Sequence, residues 1–311
     1  MALTHIKLGL INDSMNMLDH FVAQDTGLYK EEGLDVEFVI QTSVDSLKAL
    51  DSGDVLVTSG MAWVIEAILR LKAPYQFVLI NRREPPHSII ARPEIKNAQQ
   101  LRGKTVWGAG PASINYYQTL DWLKENGLEP GVDVAVKGAD SARGSFFEGP
   151  ALPWAVTGAR LTSDAMMMVP PESEWFVQEA GYNELVELCA HYPNLMVHAL
   201  AVHPDTLRSK PELVRSVVRA QQRASRTIQG DRATTVSAMM KRWNLTKATA
   251  ERLWEKVHKV FVAETDPAAL GTQLEFFRKH LQSRFPDTVI DVPDPATLFD
   301  LSFAGEAAPA R

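Results

Sequence analysis

Residues 20–39 read HFVAQDTGLYKEEGLDVEFV, and this stretch decides the architecture. Phe21 and Val22 share one face of a helical repeat with Leu18, and Gly27 stands where such a helix stops. Glu31, Glu32 and Gly33 make a turn. Residues 34–40 then alternate before becoming wholly apolar, as a strand does. Upstream, residues 6–11 (IKLGLI) form an apolar run that empties into the polar loop Asn12, Asp13, Ser14 and opens the helix. The segment is a strand, helix, strand unit.

The same grammar continues outward. Residues 43–50 predict a short helix, 52–54 a turn, 55–57 a buried strand ending in Thr58, Ser59, Gly60, and 63–71 an apolar helix. Residues 75–80 predict a further strand. The polar, proline-stiffened 81–87 then suits a crossover before the strand at 88–91. A second series restarts at 103–108, passes through a loop at 109–113 and a helix stopped by Gly127, and continues with a strand at 132–136. It goes on with a helix-like run at 146–158, a strand at 165–169 and a helix at 173–180. This alternation favours a parallel-type α/β sheet. After a returning strand at 196–202, residues 211–229, 232–243, 247–261 and 267–280 read as helices, followed by a loose tail.

The 311 residues exceed the usual size of one core, and 45% hydrophobic with 23% charged content is ordinary for a folded chain. The net charge of −6, without a basic stripe, argues against nucleic acid as a partner. The single cysteine, Cys189, reads as a buried structural thiol. No apolar stretch is long enough to cross a membrane, so no membrane insertion is expected. The N-terminal MALTHIKLGLIND reads as a first strand and not as a signal peptide.

The block at 20–39 resembles the solute-binding proteins of ABC importers for alkanesulfonates, taurine, nitrate and thiamine-pyrimidine precursors. Further matches are 49–55 before the Thr58, Ser59, Gly60 loop, IKNAQQLRGKTV at 95–106, Asp164 and Ala165 leading to Pro170 and Pro171, and 209–214 opening the C-terminal helices. The resemblance implies an α/β fold of the two-lobed type II periplasmic-binding-protein class, with two crossover segments and C-terminal helices. It places residues 1–88 and 197–311, with both termini, in lobe I, and 89–196 in lobe II. It implies periplasmic residence and delivery to an ABC permease. The missing export signal gives a cytoplasmic location as the alternative.

In open α/β lobes, ligands sit beyond the C-terminal ends of strands. Asn12, Ser14 and Asn16 offer donors at a helix start, where ordinary capping is the competing explanation. Thr58 and Ser59 supply hydroxyls, and Gly60 admits a close backbone approach to the next helix N-terminus. Pro111 and Ser113 open the matching loop of the other lobe, and Val169, Pro170, Pro171 and Glu172 would form a wall. Trp63 or Tyr116 would stack on a planar ligand, against the commoner fate of core packing. Arg82, Arg83 and Arg143 suit an anion bidentately, although each is more often a solvated surface residue.

Met166, Met167 and Met168 read as core. The histidine spacings hold no zinc motif, and no dinucleotide fingerprint or nucleophile elbow occurs, so neither a metal nor an organic cofactor is expected. The expected function is capture of a small anionic or aromatic/heterocyclic ligand between two lobes, hinged near 84–87 and 195–202. The alternatives are a cytosolic pyrimidine-synthesis, decarboxylase or desulfinase enzyme on the same fold, with His20 or His87 as acid or base, and a ligand sensor.

Overall fold

The structure is a computed structural model that describes residues 2–83, 86–108, 110, 113–138, 147–148, 160–161, 163–192, 195–264 and 268–304. The first half runs β1 (Thr4–Leu10), α1 (Leu18–Asp25), α2 (Leu28–Glu31), β2 (Leu34–Ile40), α3 (Ser43–Ser52), β3 (Val57–Ser59), α4 (Ala62–Leu71), β4 (Gln76–Arg83), β5 (Ser88–Ala91), β6 (Thr105–Trp107) and α5 (Ile114–Glu125). The second half runs β7 (Ala135–Lys137), β8 (Phe147–Glu148), β9 (Arg160–Leu161), β10 (Ala165–Met168), α6 (Glu172–Gln178), β11 (Asn183–Glu187), β12 (Met196–Val202), α7 (Pro204–Ser209), α8 (Pro211–Gly230), α9 (Arg232–Trp243), α10 (Lys247–Val257), α11 (Ala268–Arg284) and α12 (Pro295–Leu298). Gly27, Gly33, Gly53 and Gly127 all adopt positive φ at the ends of elements, the conformation that stops a helix without a Cβ penalty.

Two five-stranded sheets form, ordered β2-β1-β3-β12-β4 and β11-β5-β10-β6-β7. β1 pairs parallel with β2 from Thr4↔Leu34 to Leu10↔Ile40, and parallel with β3. The chain passes to the second sheet between β4 and β5 and returns between β11 and β12. These crossing strands correct the expectation of a parallel-type sheet: β12 runs antiparallel to β3 and β4, and β5 antiparallel to β10 and β11. A strand that enters a sheet from its neighbour lobe needs no helical crossover, so nothing forces it parallel.

Side-chain alternation covers both faces of the first sheet. Leu200 and Val202 of β12 join Leu8, Leu10, Val57 and Leu79 under α1 and α8, whereas Ala199 and Ala201 join Phe77 and Ile80 under α4 and α11. A helix at 146–158 is contradicted at its start, because Phe147 and Glu148 form β8 against β9. Gly149 and Pro150, next in sequence, are poor helix formers, so Phe147 and Glu148 gain little from a helical conformation. The rest of that run lies outside the described residues.

Candidate functional site: the cleft edge of the first sheet

β1, β3 and β4 run in one direction, so their C-terminal ends meet at one edge of the sheet. After β1, Asn12 Oδ1 accepts from the Ser14 amide at 3.0 Å and from Ser14 Oγ at 2.7 Å, while Ser14 Oγ caps the Asn16 amide at 3.3 Å. Arg82 Nη1 donates to the Asn16 carbonyl and to Asn16 Oδ1. Trp243 Nε1 donates to the Asp13 carbonyl at 2.6 Å. The polar groups of this loop are therefore largely committed to holding its own shape.

After β3, Thr58 and Ser59 are fully buried. Thr58 Oγ1 donates to the Gly9 carbonyl at 3.4 Å, and the Gly60 amide donates to the Ala199 carbonyl at 2.9 Å. Met61 begins α4 without a side-chain cap, which leaves the first-turn amides of that helix for another partner. The Trp63 ring folds back over Gly60, where a Cβ would lie 1.8 Å from it.

Behind this edge lies a buried polar network. Arg82 is fully buried, donates from Nη2 to Asp19 Oδ1 at 3.3 Å and lies 4.2 Å over the Phe261 ring. This corrects the reading of Arg82 as a solvated surface residue: Asp19 and Phe261 supply the anion and the π face that a buried guanidinium needs. Burial pushes the Asp19 carboxyl up to about 6, against the pull of Arg82, and lowers Arg82 to about 10. Asn81 joins the pair through Asp19 Oδ2, and its Oδ1 accepts from His198 Nδ1 at 3.1 Å. Gln221 connects Asn81 to His20 and Tyr29, and His20 Nε2 reaches Ser59 Oγ at 2.5 Å. Burial, with the Arg82 charge nearby, lowers His20 to about 3 and His198 well below the usual imidazole range.

The second sheet presents its own strand ends. Ser113 caps α5, accepting from the Tyr116 amide at 3.2 Å and donating to the Gly110 carbonyl at 2.6 Å. Pro111 and Arg143 lie outside the described residues; Arg83 ends β4 half-buried. Tyr116 packs over Gly108, and Tyr116 and Trp63 border the same apolar cluster, which holds Met61, Ala62, Ile65, Ile114 and Tyr117. The Met15 amide donates to the Pro170 carbonyl at 3.1 Å, joining the loop after β1 to the loop after β10. Buried polar atoms without a hydrogen-bond partner include Arg82 Nε, His198 Nε2 and His87 Nε2 near the crossings, and Gln118 Nε2 on α5. His87 Nδ1 and Gln118 Oε1 lie 2.9 Å apart, and burial lowers His87 to about 4. Among the described residues no group of three His, Cys, Asp or Glu side chains is placed to hold a metal, and no helix is long and apolar enough to cross a membrane.

The family model described as NMT1/THI5 like matches residues 14–231, a span that includes every member of the buried network except Phe261. The chain belongs to the NMT1/THI5-like family. No protein of curated function matches it. Among solved structures it is similar to a protein from Bordetella bronchiseptica RB50, with TM-score 0.74, 18% identity and coverage of 97% of this chain and 96% of that one. The alkanesulfonate-binding protein SsuA from Xanthomonas axonopodis pv. citri, bound to MOPS, gives TM-score 0.69 at 14% identity over 96% and 97%. A mutant of the desulfurization enzyme DSZB in complex with biphenyl-2-sulfinic acid gives 0.69 at 14% over 97% and 98%. At such identities the likeness shows the fold, the two-lobed α/β fold of periplasmic binding proteins.

For this NMT1/THI5-like chain, sequence reasoning named the loops and missed what stands behind them. Asp19, Asn81, His198 and Gln221 were not singled out. The available signal was polar residues at positions whose neighbours are all core: Asp19 and His20 between Leu18 and Phe21, and Gln221 and Gln222 within the apolar stripe of α8.

Proposed function

We propose that the chain is a solute-binding protein that captures a small anionic ligand between its two lobes, for delivery to an ABC permease in the periplasm. The observation that carries this reading is the convergence of strand-end loops from both sheets. Met15 is bonded to Pro170, and Trp63 and Tyr116 border one apolar cluster. Buried donors and acceptors without protein partners lie at the crossings, and the uncapped start of α4 favours negative charge. The ligand set is Asn12, Ser14, Asn16, Thr58, Ser59, Gly60, Trp63, Pro111, Ser113 and Tyr116. Within it Ser59 and the α4 amides carry the anion, and the aromatic rings carry an apolar or heterocyclic body.

The sulfonate bound by the Xanthomonas relative supports the anion class, and thiamine-pyrimidine precursors enter only through family kinship. The enzyme alternative draws on the DSZB likeness. In that reading His20 is a poor base, because it is buried, fully bonded and far less basic than a free imidazole. Titration calorimetry against 1-butanesulfonate, taurine, benzoate and a 4-aminopyrimidine tests the proposal. Saturable binding of a sulfonate or carboxylate without turnover is expected; conversion of a bound compound, or no binding to any of them, would defeat it.

A further inference from the structure

The direction of each hydrogen bond in the buried network follows from its charged end. An ionised Asp19 accepts only, and it already takes Arg82 Nη2 and the His20 amide. Asn81 must therefore turn its NH2 group toward Asp19. His198 Nδ1, at 3.1 Å from Asn81 Oδ1, fits the same orientation independently. The second hydrogen of Asn81 Nδ2 goes to Gln221 Oε1 at 3.4 Å, so Gln221 presents its own NH2 to His20 Nδ1 at 3.0 Å and to Tyr29 Oη. A ring nitrogen that accepts carries no proton. His20, neutral in its buried setting, therefore bears its one proton on Nε2 and donates it to Ser59 Oγ at 2.5 Å.

We infer that this one-way chain from Asp19 through Asn81, Gln221 and His20 makes Ser59 a committed donor beside the uncapped start of α4. On the cleft reading above, the cleft takes an acceptor-only oxygen there, of a sulfonate, carboxylate or phosphate. Among the described residues His20 is the one hydrogen-bond partner of Ser59 Oγ, so the hydroxyl hydrogen is left to a ligand. His20 is a positioning residue: it already gives its proton to Ser59 and has no lone pair there with which to activate it. An ammonium or amide N–H group, which has no lone pair to take the Ser59 hydrogen, would leave that donor unpaired at Ser59, and this sets the specificity of the subsite.

The test combines a tautomer measurement with a polarity reversal. In the full-length wild type, 15N NMR of labelled histidine is expected to show His20 protonated on Nε2 with a bare Nδ1 between about pH 8 and about pH 7, where Asp19 is ionised. Gln221→Glu places an acceptor at His20 Nδ1, so the proton moves there and Ser59 must donate back to the ring. Affinity for 1-butanesulfonate is then expected to fall by about tenfold or more. If that variant does not fold, Ser59→Ala is expected to give a similar loss of about tenfold while leaving the His20 tautomer unchanged. A wild-type proton on Nδ1 overturns the inference, and so does unchanged affinity once the tautomer has moved. A wild type with the expected tautomer that binds none of 1-butanesulfonate, benzoate and inorganic phosphate overturns the ligand class and the cleft reading, while the bond directions stand on the NMR.

Discussion

Gly60 and Trp63 compete for one space, and glycine is what settles it in favour of the ring. A Cβ at position 60 would lie 1.8 Å and 1.9 Å from two atoms of the indole, so Gly60→Ala must drive the ring off the loop. Overpacking of that kind costs about 1–3 kcal/mol. The expected outcome is a lower urea midpoint for Gly60→Ala, largely relieved in a Trp63→Leu background; equal costs in the two backgrounds would show that the ring is not the obstacle. Arg82 makes the second case at this scale. Arg82→Met leaves the Asp19 carboxylate buried without its cation, a loss of about 3–5 kcal/mol, and Asp19→Asn added to it should recover most of that. Denaturant unfolding of the three variants decides it, and a fully additive double mutant would deny the pairing. Neither cost was legible from residue type alone. An arginine two residues past an apolar strand reads as surface until the distant Asp19 and Phe261 are seen to enclose it, and contacts at such separations leave no periodic trace.

Element by element, local chemistry spoke clearly where a helix has a stop signal and a face. The sequence places a helix over residues 232–243, the bounds of α9; Gly27, expected to stop a helix, and Gly53, read as part of a turn, both end their helices in the left-handed conformation. Strands were less legible: β11 went unread because its Leu185 and Val186 sit among acids that look solvated. Those acids have a partner in the C-terminal helices. Lys256 of α10 donates to Glu174 of α6 at 2.8 Å and to Glu184 of β11 at 3.0 Å, with Glu187 at 3.7 Å. The pair with Glu174 and Glu184 holds the Lys256 ammonium above the ordinary lysine range despite burial. This ties a helix packed on the first sheet to the second sheet. Lys256→Met leaves the carboxylates facing one another, at a cost of about 1–3 kcal/mol. The expected outcome is a lower thermal midpoint together with a larger radius of gyration in small-angle scattering of the ligand-free protein. An unchanged radius would mean that the lysine stabilises a lobe and does not hold the two together.

At the scale of the whole molecule, two restarted α/β series were visible in the sequence because hydrophobic periodicity is a local property. The mixed strand directions were not, because they depend on where the chain crosses between sheets. The same holds for electrostatics: composition gives −6, yet the charges that govern stability are a few groups the fold has buried. His20, His87 and His198 are held neutral, with pKa values lowered to about 3, to about 4 and well below the ordinary range by burial. Between those values and the unfolded value near 6.5, the unfolded chain binds protons that the native chain refuses, so stability rises with pH across that window and falls on acidification. Asp19 acts the other way. Its native value of about 6 exceeds the unfolded 3.8, so the native state takes up a proton first and gains stability as pH falls through that interval. One gain offsets one of the three losses, which leaves a net decline of about 2.7 kcal/mol per pH unit below pH ~6. Carboxylates with lowered values, such as Asp121, add to the decline only at more acidic pH, below about pH 4. Urea midpoints at about pH 7 and about pH 5 should therefore differ clearly, and replacing His87 and His198 together by Gln should flatten the difference even where it lowers both midpoints. A wild-type midpoint that does not move between the two would mean that the native chain admits protons to these histidines, and with them water to the base of the cleft.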